Sequence, residues 1–229
     1  MPLRAVIFDV DGTLAETEEA HRRAFNQTFA EAGRPWHWSV DDYRALLTTT
    51  GGRERIARFM GEAGLPPDPA GVGALHGRKN QVYADLVVAG AVQPRPGVRR
   101  LIDECRAQGV VMAIATTTSR ANCTALLRHV FDPAAPDWFA ALVAGEDVAA
   151  KKPDPAVYHQ ALARLALSAS ACVAIEDSHA GLAAARAAGI ATVVTPSYYT
   201  QAHDFSGAAR VCATLDAIGV RELRLAARA

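Results

Sequence analysis

Asp9 and Asp11 stand two residues apart in Val6-Ile7-Phe8-Asp9-Val10-Asp11-Gly12-Thr13. The apolar run from Ala5 to Phe8 reads as a strand buried on both faces of a parallel sheet. Aspartate is a poor strand former, so the chain leaves the sheet at these acids. The carboxyl ends of strands are where open α/β sheets bind ligands. Two carboxylates there could hold a hard cation and leave an oxygen free to attack phosphorus. An ordinary Asp-Gly turn uses the same residues, and three distant segments tip the balance. Thr116 follows an apolar run at 110–115, Lys152 lies after another at 141–144, and Glu176-Asp177 closes a third at 172–175. The ends of parallel strands share one edge, so these residues can converge. Each also has a bland reading: Lys152, beside Lys151, as a solvated lysine, Thr116 as a strand end, Glu176-Asp177-Ser178 as a helix cap.

Helical periodicity fills the stretch between the first two strands. Ala20, Ala24, Phe25 and Phe29 recur at helical spacing and stop at Gly33-Arg34-Pro35. Ser39, with Asp42 three residues on, caps a second helix through Tyr43, Leu46 and Leu47. A third carries Ile56, Phe59 and Met60; a fourth carries Leu75, Val82, Tyr83, Leu86 and Val87. No strand signal appears from 15 to 93, which marks an all-helical insertion of roughly domain size. Beyond a linker at 94–97, strands at 110–115, 141–144, 172–175, 190–194 and 211–213 alternate with helices, among them 98–108 and 179–188. That alternation predicts right-handed βαβ units and a parallel sheet.

Among 229 residues, 50% are hydrophobic and 24 Lys and Arg balance 24 Asp and Glu, which argues for a sizeable core and against a nucleic-acid partner. No apolar run approaches the ~20 residues of a membrane span, and no signal peptide is apparent, so a cytoplasmic monomer is expected. Cys105, Cys123, Cys172 and Cys212 form no Cys-x-x-Cys pair and read as reduced structural thiols.

Taken together the motifs resemble the haloacid dehalogenase superfamily of phosphotransferases: Asp9-Val10-Asp11-Gly12-Thr13, then Thr116, then Lys152, then Glu176-Asp177, in that order. The resemblance implies a Rossmann-like core, residues 1–14 and 94–229, with strand order 3-2-1-4-5, and a helical cap over 15–93 that selects substrate. It implies that Asp9 is the nucleophile, Asp11 the general acid and base, and Thr116 and Lys152 the donors to phosphoryl oxygens. Mg²⁺ would be held by Asp9, the Asp11 backbone carbonyl and Asp177, with Glu176 behind them as an acceptor for metal-bound water or Lys152. Phospho-accepting signalling modules use similar residue types, but their phosphorylated Asp ends a later strand and they lack so large a cap. A silent phosphosugar-binding protein is the further alternative, disfavoured by the retention of Asp11.

Polar clusters in the cap are the candidates for substrate binding: Glu18 and His21 for sugar hydroxyls, then Thr50-Gly51-Gly52-Arg53-Glu54, then His76, Arg78 and Lys79. In the core, Thr117, Thr118, Ser119, Arg120 and Asn122 flank Thr116. Small residues let backbone amides approach an anion, and Arg53, Arg78, Lys79 and Arg120 could pair with a second phosphate. Any one of these could equally be a solvated helix face. The stretches Ala15-Glu16-Thr17-Glu18-Glu19, Leu46-Leu47-Thr48-Thr49-Thr50-Gly51-Gly52 and Ala115-Thr116-Thr117-Thr118-Ser119 resemble the CbbY-type phosphatases in particular. That resemblance implies a ketose bisphosphate cut at carbon 1, xylulose 1,5-bisphosphate, an inhibitory by-product of Rubisco in the Calvin cycle. β-Phosphoglucomutases share the catalytic motifs but commonly carry Lys before the cap-loop Gly. Here that residue is Thr50, which favours hydrolysis.

Overall fold

In the computed structural model, which describes residues 3–227, Ala5–Phe8 forms strand β1 and is buried at every position. Helices α1 (Glu18–Glu31), α2 (Val40–Leu46), α3 (Gly52–Glu62) and α4 (Pro69–Val88) follow with no strand among them, then α5 (Val98–Ala107). The remainder alternates: β2 (Val111–Ala115), α6 (Arg120–Leu126), β3 (Ala141–Val143), α7 (Ala156–Leu165), β4 (Cys172–Glu176), α8 (His179–Ala187), β5 (Ala191–Val194), β6 (Arg210–Val211) and α9 (Val220–Ala226). The six strands form one parallel sheet in the order β3-β2-β1-β4-β5-β6. The expected 3-2-1-4-5 order is therefore present and extended by one strand.

Alternate residues of the buried strands point to opposite faces, and each face has its own core. Val6, Phe8, Met112, Ile114, Val173 and Ile175 join apolar side chains of α5, α6 and α9. Ala5, Ile7, Ala113, Ala115 and Ala174 meet α7 and α8. The helical segment has a third, largely aromatic core of Phe25, Phe29, Trp38, Tyr43, Ile56 and Met60, into which Tyr199 reaches from the loop after β5. Ser39 and Asp42 form the anticipated capping box at α2. Helix α9 and the π-helical turn Leu127–Phe131 after α6 are not anticipated above, and the last strand is Arg210–Val211 rather than 211–213.

The chain enters and leaves the helical segment through neighbouring linkers. Ala15 and Pro94 form an antiparallel bridge. The Arg95 N–H donates to the Leu14 carbonyl (3.0 Å) and the Glu16 N–H to that of Gln93 (3.3 Å). No helix among the described residues is long and apolar enough to cross a membrane.

Candidate active site

Strand register lines up the groups at the carboxyl edge. Phe8 is level with Ile114 on β2 and with Ile175 on β4, so Asp9 stands in the next row with Ala115 and Glu176. Lys152, on the loop between β3 and α7, reaches back over this row. Its Nζ donates to Asp9 Oδ1 (2.7 Å), Glu176 Oε1 (2.7 Å) and the Ala115 carbonyl (2.8 Å). All of its ammonium protons are thereby engaged. The Tyr158 hydroxyl also donates to Glu176 Oε1 (2.5 Å), so Glu176 serves to fix Lys152 beneath the cavity. Although burial opposes it, the neighbouring Asp9 and Glu176 hold the lysine charged.

Asp11 faces a different set of partners. Its Oδ1 accepts from Thr17 Oγ1 (2.7 Å) and lies 3.0 Å from His21 Nε2. On the far side of the ring, His21 Nδ1 is 2.7 Å from Lys79 Nζ. An ammonium only donates, so Nδ1 accepts and Nε2 carries the proton offered to Asp11. The Tyr83 ring stacks on His21 with centroids 3.9 Å apart. Burial pushes Lys79 down to about 7 and lowers His21, with the Lys79 charge adding to the effect. Burial alone would raise Asp11, but His21, Thr17 and Lys79 outweigh it and hold the carboxyl at about 2.

Asp9, Glu176 and Asp177 each present a carboxylate oxygen within 4.8 Å of the others, and all are buried. Burial pushes Asp9 up to about 7, with Lys152 opposing and Glu176 and Asp11 adding. Burial, then the charges of Asp9 and Glu176, raise Asp177 well above the usual carboxylate range. The Thr200 hydroxyl donates to the Asp177 carbonyl (2.8 Å) and lies 3.2 Å from its Oδ2. Lys152 does not balance this much negative charge, and an all-oxygen donor set suits a hard divalent cation. Glu176 is fully buried and lies outside the lining of the cavity over this edge, which Asp9 and Asp177 both reach, so these two are the side chains that could hold one. Gly12, at φ +77°, passes so close that an added Cβ would lie 2.3 Å from Asp177 Oδ2. Only glycine fits both the left-handed turn and that approach.

A cavity of about 910 Å³ opens over this edge, lined from the sheet side by Asp9, Asp11, Thr116, Lys152 and Asp177. Of the anticipated cap residues, Glu18, His21, Thr50, Gly51, Gly52, Arg53, Glu54, His76 and Lys79 line it, as do Thr117, Thr118, Ser119 and Asn122. Arg78 and Arg120 do not. Arg78 pairs with Glu31 (2.7 Å) on the outer face of the helices, and Arg120 pairs with Asp147 (2.5 Å). Neither is placed to meet a second phosphate, which corrects the expectation above. Neighbouring helical residues point about 100° apart, so Lys79 turns inward while Arg78 turns out. His21 has both ring nitrogens engaged, one by Asp11 and one by Lys79, which corrects its expected role toward sugar hydroxyls; Lys79 lines the cavity and contacts His21.

Several contacts cross from the helical segment to the sheet unit around the rim. Thr50 Oγ1 donates to the Lys152 carbonyl (2.5 Å), Lys151 pairs with Glu54 (2.7 Å), and Asn122 donates to Asn80 (3.0 Å). Sequence reasoning missed Thr17, Tyr43, Arg55 and Tyr158. Arg55 is buried in the cavity wall and donates to the Tyr43 hydroxyl (2.8 Å), which donates to Glu18 (2.6 Å). The signal available was spacing: Arg55 stands one helical turn before Phe59 and beside Ile56, so it falls on the apolar stripe of α3.

Residues 3–189 match the family of haloacid dehalogenase-like hydrolases. The chain is 54% identical over 208 residues to Protein CbbY of Rhodobacter capsulatus, covering 91% of this chain and 92% of that protein. It superposes with a TM-score of 0.93 on the crystal structure of CbbY from Rhodobacter sphaeroides in complex with phosphate, at 44% identity, covering 96% and 99% of the respective chains. An Asp-to-Asn mutant of the same Rhodobacter sphaeroides protein, crystallised in complex with xylulose 1,5-bisphosphate, matches with the same score, identity and coverage.

Proposed function

The chain belongs to the haloacid dehalogenase-like hydrolases, and from that premise we propose a magnesium-dependent phosphatase that removes the 1-phosphate of xylulose 1,5-bisphosphate through an aspartyl-phosphate on Asp9. That it is a phosphoric monoester hydrolase of the CbbY type follows from its relatives; the substrate, the metal and the steps are our reading. One observation carries it. A single cavity brings Asp9, Thr116, Lys152 and Asp177 from the sheet edge against Glu18, Arg53 and Arg55 from the helices, with room for a pentose carrying two phosphates.

Phosphate monoesters hydrolyse so slowly that positioning and charge neutralisation must supply most of the acceleration. The Asp9 carboxylate attacks phosphorus, the bond to the sugar oxygen breaks, and Asp11 protonates that oxygen as it leaves. Water then attacks the aspartyl-phosphate, gives a proton to Asp11, and releases phosphate with Asp9 restored. A carboxyl held at about 2 keeps no proton of its own at neutral pH. We assign Asp11 the role of a relay: His21 Nε2 hands it the proton while Lys79, labile at about 7, reprotonates Nδ1. Esterification removes the charge of Asp9, which frees a Lys152 proton to join the Thr116 hydroxyl on the phosphoryl oxygens. Magnesium held by Asp9, Asp177 and the Asp11 backbone carbonyl would supply charge neutralisation at the phosphate. Residues 15–93 would act as the specificity domain, Arg53 and Arg55 taking the second phosphate in place of Arg78 and Arg120.

Phosphate release is to be compared across xylulose 1,5-bisphosphate, xylulose 5-phosphate and β-glucose 1-phosphate. The expected result is a strong preference for the bisphosphate, no turnover by folded Asp9→Asn, and full activity in Arg78→Ala. Glucose 6-phosphate formed from β-glucose 1-phosphate with little free phosphate would establish a mutase instead, and phosphate release by Asp9→Asn would remove Asp9 as nucleophile.

A further inference from the structure

Arg95 lies on the return linker from the helical segment, and only 7% of its surface is exposed. It does not line the cavity. Its Nη1 donates to the carbonyls of Gly12 and Thr195, and its Nη2 to that of Pro196 (2.8 Å). Its Nε lies 3.0 Å from Glu16 Oε1, on the outgoing linker. Carbonyl oxygens from the ends of two different strands therefore converge on one buried cation. Their dipoles repel one another, and without a donor those of Gly12 and Thr195 would be left buried and unsatisfied. A guanidinium meets them with several N–H groups in one rigid plane, which a lysine ammonium does not reproduce.

The segments it joins matter. Gly12 directly follows Asp11, and Thr195-Pro196 directly precede Ser197, whose hydroxyl contacts Thr200 (3.0 Å), the residue that donates to Asp177. We propose that Arg95 is a positioning residue for the reaction: it holds the Asp9–Asp11 loop at a fixed distance from the loop that orients Asp177. The proposal rests on Asp9 and Asp11 being the reacting pair. Arg95 acts through the main chain of both loops and touches no reacting atom. A shift of the Gly12 carbonyl moves Asp11 relative to the leaving oxygen, and a misplacement of about 1 Å can cost roughly 10²-fold in rate.

The test uses the full chain with Arg95→Lys and Arg95→Gln, checked for folding by circular dichroism and thermal midpoint. Two esters are compared: xylulose 1,5-bisphosphate, whose alkoxide needs a proton, and p-nitrophenyl phosphate, whose phenolate departs without one. For the sugar ester the expected loss in kcat is about 10²-fold with KM nearly unchanged. For the aryl ester the loss in kcat/KM is expected to be smaller by about tenfold, since proton delivery from Asp11 contributes little there. Equal losses on both esters, a change confined to KM, wild-type kcat, or loss of the folded state in both variants would each overturn the proposal. Asp9→Asn is run alongside: if it turns over substrate, the reading of the site fails irrespective of Arg95; if it is inactive while the Arg95 variants match wild type, only the positioning role fails.

Discussion

Asp9 and Asp11 are separated by a single residue, yet the fold gives their carboxyl groups opposite electrostatics. Asp9 is drawn up to about 7 by burial among other carboxylates, whereas Asp11 is held at about 2 by a hydroxyl and a histidine backed by a lysine. A continued strand would point residues two apart to the same face; the chain has left β1 after Phe8, so Asp9 stays under Lys152 while Asp11 turns toward α1 and α4. The relay makes a specific demand on pH. Lys79 loses its proton as pH rises through about 7, so kcat should fall on the alkaline side of that value. In Lys79→Met that limb should vanish and the plateau drop by about 10²-fold, the lower end of what positioned proton transfer supplies. A pH–kcat profile of both proteins checks this, and an unchanged alkaline limb in the variant would exclude Lys79 as the proton source.

Elements, more than side chains, were open to reading from the sequence. Strand ends announce themselves because an apolar run must stop where polar atoms begin, and Asp9, Thr116 and Asp177 sit at such stops, with Lys152 in the loop beyond another. Helical surfaces give no equivalent mark. Arg78 and Lys79 are adjacent and equally basic, and only the packing of α4 shows that one reaches Glu31 outside and the other His21 within. Arg95 was illegible for another reason, since its partners are backbone carbonyls around residues 12 and 195, and carbonyls carry no sequence identity. Two glycines separate stability from chemistry at this scale. Gly97 has φ +82°, and an added Cβ would lie 2.1 Å from the Leu215 carbonyl carbon. Gly97→Ala should cost at least about 1–2 kcal/mol and lower Tm by roughly 4 °C or more, with the folded fraction still active. Gly12→Ala carries the same backbone penalty but displaces Asp177, so calorimetry should show a comparable loss while phosphate release is abolished.

For the whole molecule, the buried carboxylates make stability depend on pH in an unusual direction. Between the unfolded carboxylate pKa of about 3.9 and the folded value of about 7 for Asp9, the folded chain binds more protons than the unfolded one. Stability contributed by this group is therefore greatest below the unfolded value and declines as pH rises through about 7. Asp177, raised by the same burial, works in the same direction. A divalent cation would offset the repulsion once these groups ionise. The rise in Tm on adding magnesium to chelator-treated protein should accordingly be larger at pH 8 than at pH 5, as measured by calorimetry. A shift independent of pH would mean that the ion binds elsewhere. The paired linkers at Ala15 and Pro94 carry a different consequence. Since the chain departs and returns at one spot, the sheet experiences everything between as it would a hairpin bend, and loop-closure entropy grows only slowly with the length enclosed. A different set of helices grafted at those two points would still have to bring its own equivalents of Thr17, His21 and Lys79, because Asp11 draws its partners from the segment exchanged.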